Sequence, residues 1–279
     1  MLDKELRAAL IQKGRDFAAG NRDLQQYGES EESDQERKLP QPPLVKAAMR
    51  GEEARIALPK NFADGVIKAD LLAAIRDRKS SRVYTQEEMS LVQLSFLIWA
   101  TQGVKDLRGR AYATLRTVPS GGARHPFETY LVVRKVTGLV AGAYHYLPME
   151  HELEFLGPVE DLEETVSQSL CEQTFGAKAN VIFYWSLVPY RAEWRYGIYA
   201  HRTALIDAGH VGQNLYLACA GTGLGCCGIA AFDGDVCARL FGLDGKEEFI
   251  AYTATVGTIR EKDRAEEQAF YSFVEEEGL

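Results

Sequence analysis

Cysteine is scarce in this 279-residue chain: Cys171, Cys219, Cys226, Cys227 and Cys237 are all there is. The odd number, and the lack of paired C-x-x-C spacings, exclude a disulfide framework and a zinc-finger arrangement. The sequence therefore predicts no metal site, with most cysteines as small buried side chains. Long apolar runs are also missing. The longest lies near Leu94–Thr101, well short of the roughly 20 residues that cross a bilayer. Met1–Leu10 carries Asp3, Lys4, Glu5 and Arg7 where a secretory signal would be apolar. A cytoplasmic protein that does not use a membrane is expected. Positive charge is in deficit, with 32 Lys and Arg against 40 Asp and Glu and a formal net charge of -8. That sign opposes phosphate tracking, so nucleic acid is not an expected partner, although a few local cations can still hold one small anion.

What is present is ordinary globular material, 46% hydrophobic and 26% charged, enough for one large domain with or without an extension. Gly28–Lys38 reads GESEESDQERK and should be solvated, and Pro40, Pro42 and Pro43 favour extended backbone. Met1–Lys60 is read as an N-terminal arm, either a flexible extension or a piece that packs on a partner subunit. Residues 61–279 form the main domain. From Asp70 the pattern becomes regular. Leu71, Leu72 and Ile75 predict a short helix, and the Ser90/Gln93 pair predicts a capping box opening a helix that stops at Gly103. Strands are predicted at Thr129–Arg134, Ala143–Leu147, Glu152–Leu156, Val181–Leu187 and Phe249–Gly257, with a helix at Leu162–Leu170. Leu205, Ala208, Gly212, Leu215 and Cys219 mark a long helix with a nearly smooth face. Irregular alternation of helices and strands, with a hairpin in the middle, points to an α+β domain.

Four segments carry chemistry. Arg78-Lys79-Ser80-Ser81-Arg82 packs three cations and two hydroxyls into five residues; it is either a solvated basic turn or a phosphate grip, since forked guanidinium donors suit phosphate oxygens. Val118–Pro126 is either a plain Gly-Pro turn or a loop stripped of bulk so that a flat ring can lie on its backbone. Gly223, Gly225 and Gly228 satisfy G-x-G-x-x-G, but a helix precedes them and Cys226–Ala231 looks extended. A dinucleotide fingerprint needs the reverse order, so a helix C-cap at Gly221 or Gly223 followed by a strand is the better reading. Trp194-Arg195-Tyr196-Gly197, leading to His201-Arg202 at the start of the long helix, is either an aromatic anchor or a substrate-facing group. There a phenol could donate a proton. His210, in mid-helix, is read as structural.

Taken in order, Arg78–Arg82, Pro119–Pro126, the Asp207–Asn214 helix, Gly223–Asp233 and the closing Val256-Gly257 resemble the nitroreductase superfamily over roughly Asp70–Gly257. The wording PSGGARHPFETYLVV, the segment Gly138–Pro148 and the Arg195–Arg202 region are similar to its SagB-type dehydrogenase branch, which holds azoline oxidases. The resemblance implies an α+β nitroreductase-like fold with a central mixed, mainly antiparallel sheet flanked by helices, and a homodimer with two FMN sites built from both subunits. Carried over by position, Arg78, Lys79, Ser80 and Arg82 would hold the FMN phosphate and ribityl chain, with Arg82 near the N1/O2 edge. Pro119, Ser120, Gly121 and Gly122 would approach from the second subunit. Gly228, Ile229, Ala230 and Ala231 would lie along the ring, with an amide of Ala230 or Ala231 near N5. Arg260 would be a further phosphate ligand and Gln173 a polar flavin contact.

The implied activity is ping-pong hydride transfer from NAD(P)H through flavin N5 to a small nitroaromatic or quinone-like electrophile, with Tyr196 and Arg195 as catalytic candidates. Azoline dehydrogenation in peptide maturation and flavin binding without turnover stand as alternatives. One departure counts against the azoline reading. The branch's azoline oxidases carry a Lys-Tyr pair where this chain has Arg195-Tyr196, and arginine does not release a proton at useful pH.

Overall fold

The computed structural model describes residues 32–67 and 70–260, with isolated positions between 3 and 17 and at 272 and 276. The elements run β1 (Arg55–Ala57), α1 (Leu71–Asp77), α2 (Leu91–Gln102), β2 (Val104–Arg108), β3 (Ala113–Arg116), β4 (Phe127–Val133), β5 (Gly142–Leu147), β6 (Glu152–Gly157), α3 (Leu162–Ser169), β7 (Val181–Leu187), α4 (Pro189–Tyr196), α5 (Ala200–Thr222), β8 (Leu224–Ile229), α6 (Gly234–Phe241) and β9 (Phe249–Thr258).

Seven strands bond in the order β1-β6-β5-β4-β7-β9-β8, and β2 pairs with β3 as a separate hairpin. The sheet pairings are antiparallel. A parallel element enters at the β8 edge, where Ser80 bridges to Cys226. Ser90 and Gln93 form the expected capping box at α2, and α5 ends on Gly223 with a left-handed φ of 72°. That C-cap is why the glycine-rich stretch continues as a strand instead of opening a nucleotide-binding helix. Tyr196 and Arg195 were expected at the start of the long helix. They instead close a separate helix, α4, opened by Pro189 at its first turn and ended by Gly197 at φ 49°. The β2–β3 hairpin and α6 are further elements that periodicity did not indicate.

Side chains alternate across the sheet. Phe127, Leu131, Val133, Phe183, Trp185, Ala254 and Val256 face one side and pack with Leu94, Leu97 and Ile98 of α2 and Ala208, Val211 and Leu215 of α5. On the other side Tyr130, Val132, Ile182 and Tyr184 meet Val166 and Leu170 near α3 and Cys237 and Phe241 of α6. This second face also buries charge. His145 Nδ1 lies 2.7 Å from Glu154 and its Nε2 3.2 Å from Glu128. Glu128 also pairs with Arg191 at 2.5 Å. The described part of the arm closes over these groups. The Lys46 amide donates to Glu128 at 2.8 Å, and the Met49 and Arg50 amides donate to Glu154 at 2.8 and 2.9 Å. Lys46 Nζ reaches Glu248 at 2.5 Å and Tyr130 Oη at 2.7 Å. The arm's Arg55–Ala57 then joins the sheet as β1 beside β6. Among the described residues no helix is long and apolar enough to cross a membrane.

Candidate functional site

The basic segment and the glycine-containing end of β8 meet around one side chain, Tyr216. Its hydroxyl accepts from the Gly228 amide at 2.8 Å and lies 2.9 Å from Ser80 Oγ. The Arg78 guanidinium sits over its ring, 5.3 Å from the centroid. Tyr216 projects from α5, so the helix sets the gap between the 78–82 segment and β8. The Ser81 amide donates to Cys226 O at 2.8 Å and continues the sheet. Ser81 is buried whereas Lys79, two residues earlier, is exposed, so the segment does not keep strict strand alternation there. Burial raises the Tyr216 phenol above its usual pKa, opposed by its bonds to Ser80 and Gly228, so it stays protonated.

Glycine is needed at 228 for space. A Cβ there would stand 2.2 Å from Tyr252 Oη, and one at Gly212 on α5 would stand 2.5 Å from the same ring. Ile229 is buried, while Ala230 and Ala231 are exposed at the strand end. Gln173 Nε2 donates to Leu170 O at 3.0 Å and Ala231 O at 3.2 Å. It thus tethers the carbonyl beside those alanines. Arg260 is exposed, directly beyond β9.

The second cluster sits nearer the start of α5. Asp207, a buried carboxylate, accepts from Ser120 Oγ at 2.6 Å and from the Gly121 amide at 3.1 Å. Burial raises the Asp207 carboxyl above its ordinary pKa, and the two bonds oppose that shift. Ser120 Oγ also accepts the His125 amide at 2.9 Å, closing the loop on itself. Gly122 has φ 55°, and a Cβ on it would press within 2.5 Å of Arg195 Cδ and 2.8 Å of Tyr196 Oη. The loop and the Arg195-Tyr196 pair are therefore in close contact, which their separation in sequence does not reveal. Pro119 precedes this turn and is exposed.

Arg195 belongs to a further group that sequence reading missed. Its Nη1 donates to Tyr112 Oη at 2.8 Å and to Gln35 Oε1 at 2.9 Å, and Gln35 Nε2 donates to the same phenol at 3.1 Å. Arg124 stacks over Tyr112 with its guanidinium carbon 4.8 Å from the ring centroid. A cleft of about 500 Å³ opens beside this group, between Ser33–Arg37 of the arm and Tyr190, Tyr196 and Tyr199.

The two clusters do not coincide within one chain. Asp207 and Tyr216 are nine residues apart on α5, about 13 Å along the helix axis. The structure thus joins Arg78 and Ser80 to Gly228, and joins Ser120, Gly121 and Gly122 to Arg195 and Tyr196, leaving the two groups at separate positions along the helix. Among the described residues no cluster of three or more His, Cys, Asp or Glu could hold a metal.

Known proteins resemble this chain in sequence and in fold. A provisionally named nitroreductase of Methanocaldococcus jannaschii is 35% identical over 159 residues, covering 56% of this chain and 75% of its own length. The trifolitoxin-processing protein TfxB of Rhizobium leguminosarum bv. trifolii is 28% identical over 165 residues, covering 57% of this chain but 39% of TfxB. The crystal structure of a provisionally named nitroreductase from Ralstonia eutropha JMP134 superposes with a TM-score of 0.61 and 26% identity, covering 80% of this chain and all of that one, 100%. The family model described as the nitroreductase family matches residues 75–258, a span that takes in both clusters and the whole sheet but β1, so the chain belongs to the nitroreductase family and is an oxidoreductase.

Proposed function

We propose that the chain is an FMN-dependent oxidoreductase that works as a homodimer and passes a hydride from NAD(P)H to a small nitroaromatic or quinone-like acceptor. The observation that carries this reading is the Tyr216 junction, which holds a cationic, hydroxyl-bearing segment beside a strand end without bulk. The donor set fits a phosphorylated flavin. Arg78 and Lys79, with Arg260 beyond β9, supply cations to a phosphate, and Ser80 supplies a hydroxyl to the ribityl chain. The exposed alanines leave room for a flat ring. When bound, FMN supplies hydride exchange at its N5 atom.

The chain's own residues bind, orient and balance charge. The Gly228 amide is already donated to Tyr216, so the amides of Ala230 and Ala231 are the ones left for the ring edge, with buried Ile229 fixing the strand behind them. Arg82 places positive charge where reduction builds negative charge, which favours reduction. Gln173 acts through the Ala231 carbonyl. The loop Pro119, Ser120, Gly121 and Gly122 serves the site of a second copy, which accounts for its distance from the Tyr216 junction along α5. The surface for that copy is provided by exposed apolar residues, Leu205 and Ile206 on α5 and Leu71, Leu72 and Ile75 on α1.

The test is direct. The purified chain is expected to be yellow, to release FMN, to sediment as a dimer and to bleach on anaerobic addition of NADPH. Arg78→Ala and Arg82→Ala should each strip the flavin. Full occupancy in both variants would refute the phosphate assignment, and a colourless chain that takes up no added FMN would refute the whole reading. A second reading, azoline dehydrogenation in peptide maturation, is favoured by the likeness to a toxin-processing protein. Conversion of a thiazoline peptide to the thiazole with bleaching of the flavin would establish it.

A further inference from the structure

We propose that Tyr112, on the turn of the β2–β3 hairpin, is the group that hands a proton to the acceptor, and that Arg195, Arg124 and Gln35 make its oxygen able to do so. This rests on the oxidoreductase reading above and adds a residue to it.

The geometry is specific. Tyr112 Oη accepts two hydrogen bonds, from Arg195 at 2.8 Å and from Gln35 at 3.1 Å. Neither partner atom can accept in return, since guanidinium and amide nitrogens only donate. The phenol's own hydrogen must therefore point elsewhere. Tyr112 is 37% exposed, so the residue is open to solvent on one side. A second guanidinium, Arg124, lies over the ring face, and two positive charges thus bracket the oxygen and the ring. Partial burial raises the phenol's pKa, but the bond from Gln35 and the charges of Arg195 and Arg124 outweigh it and bring the phenol below its ordinary value. The remaining neighbours do not cancel this field. Asp34 is engaged by Tyr190 and Arg37, Glu36 is turned onto Ser33, and Arg108 and Arg110 of the turn itself are exposed.

The place is right as well. Arg124 donates to both the Gly122 and the Tyr112 carbonyls, at 3.1 and 2.8 Å. The Tyr112 turn is thereby tied to the loop assigned to the flavin of the second subunit. An acceptor that takes a hydride gains two electrons and one negative charge, and the reduced flavin loses the same two electrons. The Tyr112 O–H bond then breaks and an O–H or N–H bond forms on the acceptor. The tyrosinate left behind is held by two arginines and an amide until solvent returns the proton. Arg195 cannot exchange a proton itself, but in this arrangement it lowers the cost of the anion at Tyr112.

The experiment is the pH profile of acceptor reduction by the intact protein, with a nitroaromatic and a quinone as probes. Activity of the wild type should fall as pH rises through the Tyr112 value. Tyr112→Phe should lower turnover about a hundredfold, the size of one acid–base contribution, and lose that alkaline limb, with flavin content and bleaching by NADPH unchanged. Gln35→Leu should move the limb upward without abolishing it. Absorbance at 295 nm, wild type minus Tyr112→Phe, should show one tyrosinate appearing below the others. A limb that survives in Tyr112→Phe, or a difference spectrum without that early step, overturns the proposal. A colourless protein would instead sink the flavin reading, and the 295 nm titration still decides on Tyr112.

Discussion

The two faces of the sheet are built on opposite rules. The face under α2 and α5 is mainly apolar, and where it approaches the candidate site it uses glycine, alanine and hydroxyl groups. Gly212, Gly228 and the Tyr216 oxygen leave room and offer neutral bonds. The other face, under the arm, hides Glu128, His145, Glu154 and Arg191, all buried, and pairs them with each other and with arm amides. Both ring nitrogens of His145 meet carboxylates, so both must donate, which makes the ring an imidazolium. The difference teaches that the buried charge of this second face holds the arm down, whereas the Tyr216 junction is left with space and with cations that are not fully buried. Breaking one face should cost stability, and breaking the other should cost function.

The largest expected effect comes from Glu128→Ala. It strands Arg191, leaves His145 with Glu154 alone and removes the acceptor of the Lys46 amide. Breaking a buried charge pair from one side typically costs about 3–5 kcal/mol, which chemical denaturation would read. Flavin content of the fraction still folded should be unchanged. Loss of flavin at unchanged stability would reverse the roles assigned to the two faces.

The same network gives a pH signature. The two carboxylates outweigh burial and raise His145 above its usual value, while Arg191 and His145 outweigh burial and depress Glu128. Glu154 is depressed by His145 and the arm amides, again against burial. A raised histidine contributes fully below its unfolded value and loses its contribution as pH rises through the folded one. A depressed carboxylate contributes above its unfolded value and loses this as pH falls. The clamp is thus complete from about pH 5 to about pH 6.5; its contribution declines beyond those limits and is lost as pH rises through the raised value of His145 or falls through the depressed values of the two carboxylates. The melting-temperature gap between wild type and His145→Gln should be widest in that window and shrink on both sides. A gap constant from pH 5 to pH 9 would mean that His145 carries no charge.

Much of this contrast was legible in the sequence, and its limits are physical. Helix ends were readable because caps are local: Ser90 and Gln93 form their box, and Gly223 ends α5 as a helix must before the chain turns into a strand. Strand β7 was readable as a continuous apolar run, and β4 as a β-rich stretch, because both faces are covered. The order of the basic segment, the loop and the glycine-rich strand was enough to name the family. Contacts made by backbone amides were not readable, which is why the grip of Lys46, Met49 and Arg50 on the sheet left no mark in side-chain pattern. The hairpin β2–β3 is mostly charged and exposed along β2, so it carries no hydrophobic period. Tyr216 passes in a periodicity count as one more apolar helix residue beside Leu215, and nothing local says that its hydroxyl reaches two other segments. Glu128 and His145 did leave a signal, each a titratable group inside an otherwise apolar strand.

The smallest expected effect on stability tests the functional face. Tyr216→Phe removes one hydroxyl, frees the Gly228 amide and releases Ser80 while keeping the ring under Arg78. The stability loss should be about 1 kcal/mol, the net worth of a typical hydrogen bond, against several for Glu128→Ala. Its consequence for the site should be out of proportion, because the hydroxyl sets the spacing between the 78–82 segment and β8. FMN should dissociate more readily, and the flavin's reduction potential should shift as Ala230 and Ala231 lose their register. Tyr216→Leu should show the same two changes with a larger stability loss. If Tyr216→Phe keeps the wild-type potential and FMN affinity, the junction is packing alone, and the division of labour between the two faces fails at the residue on which it most depends.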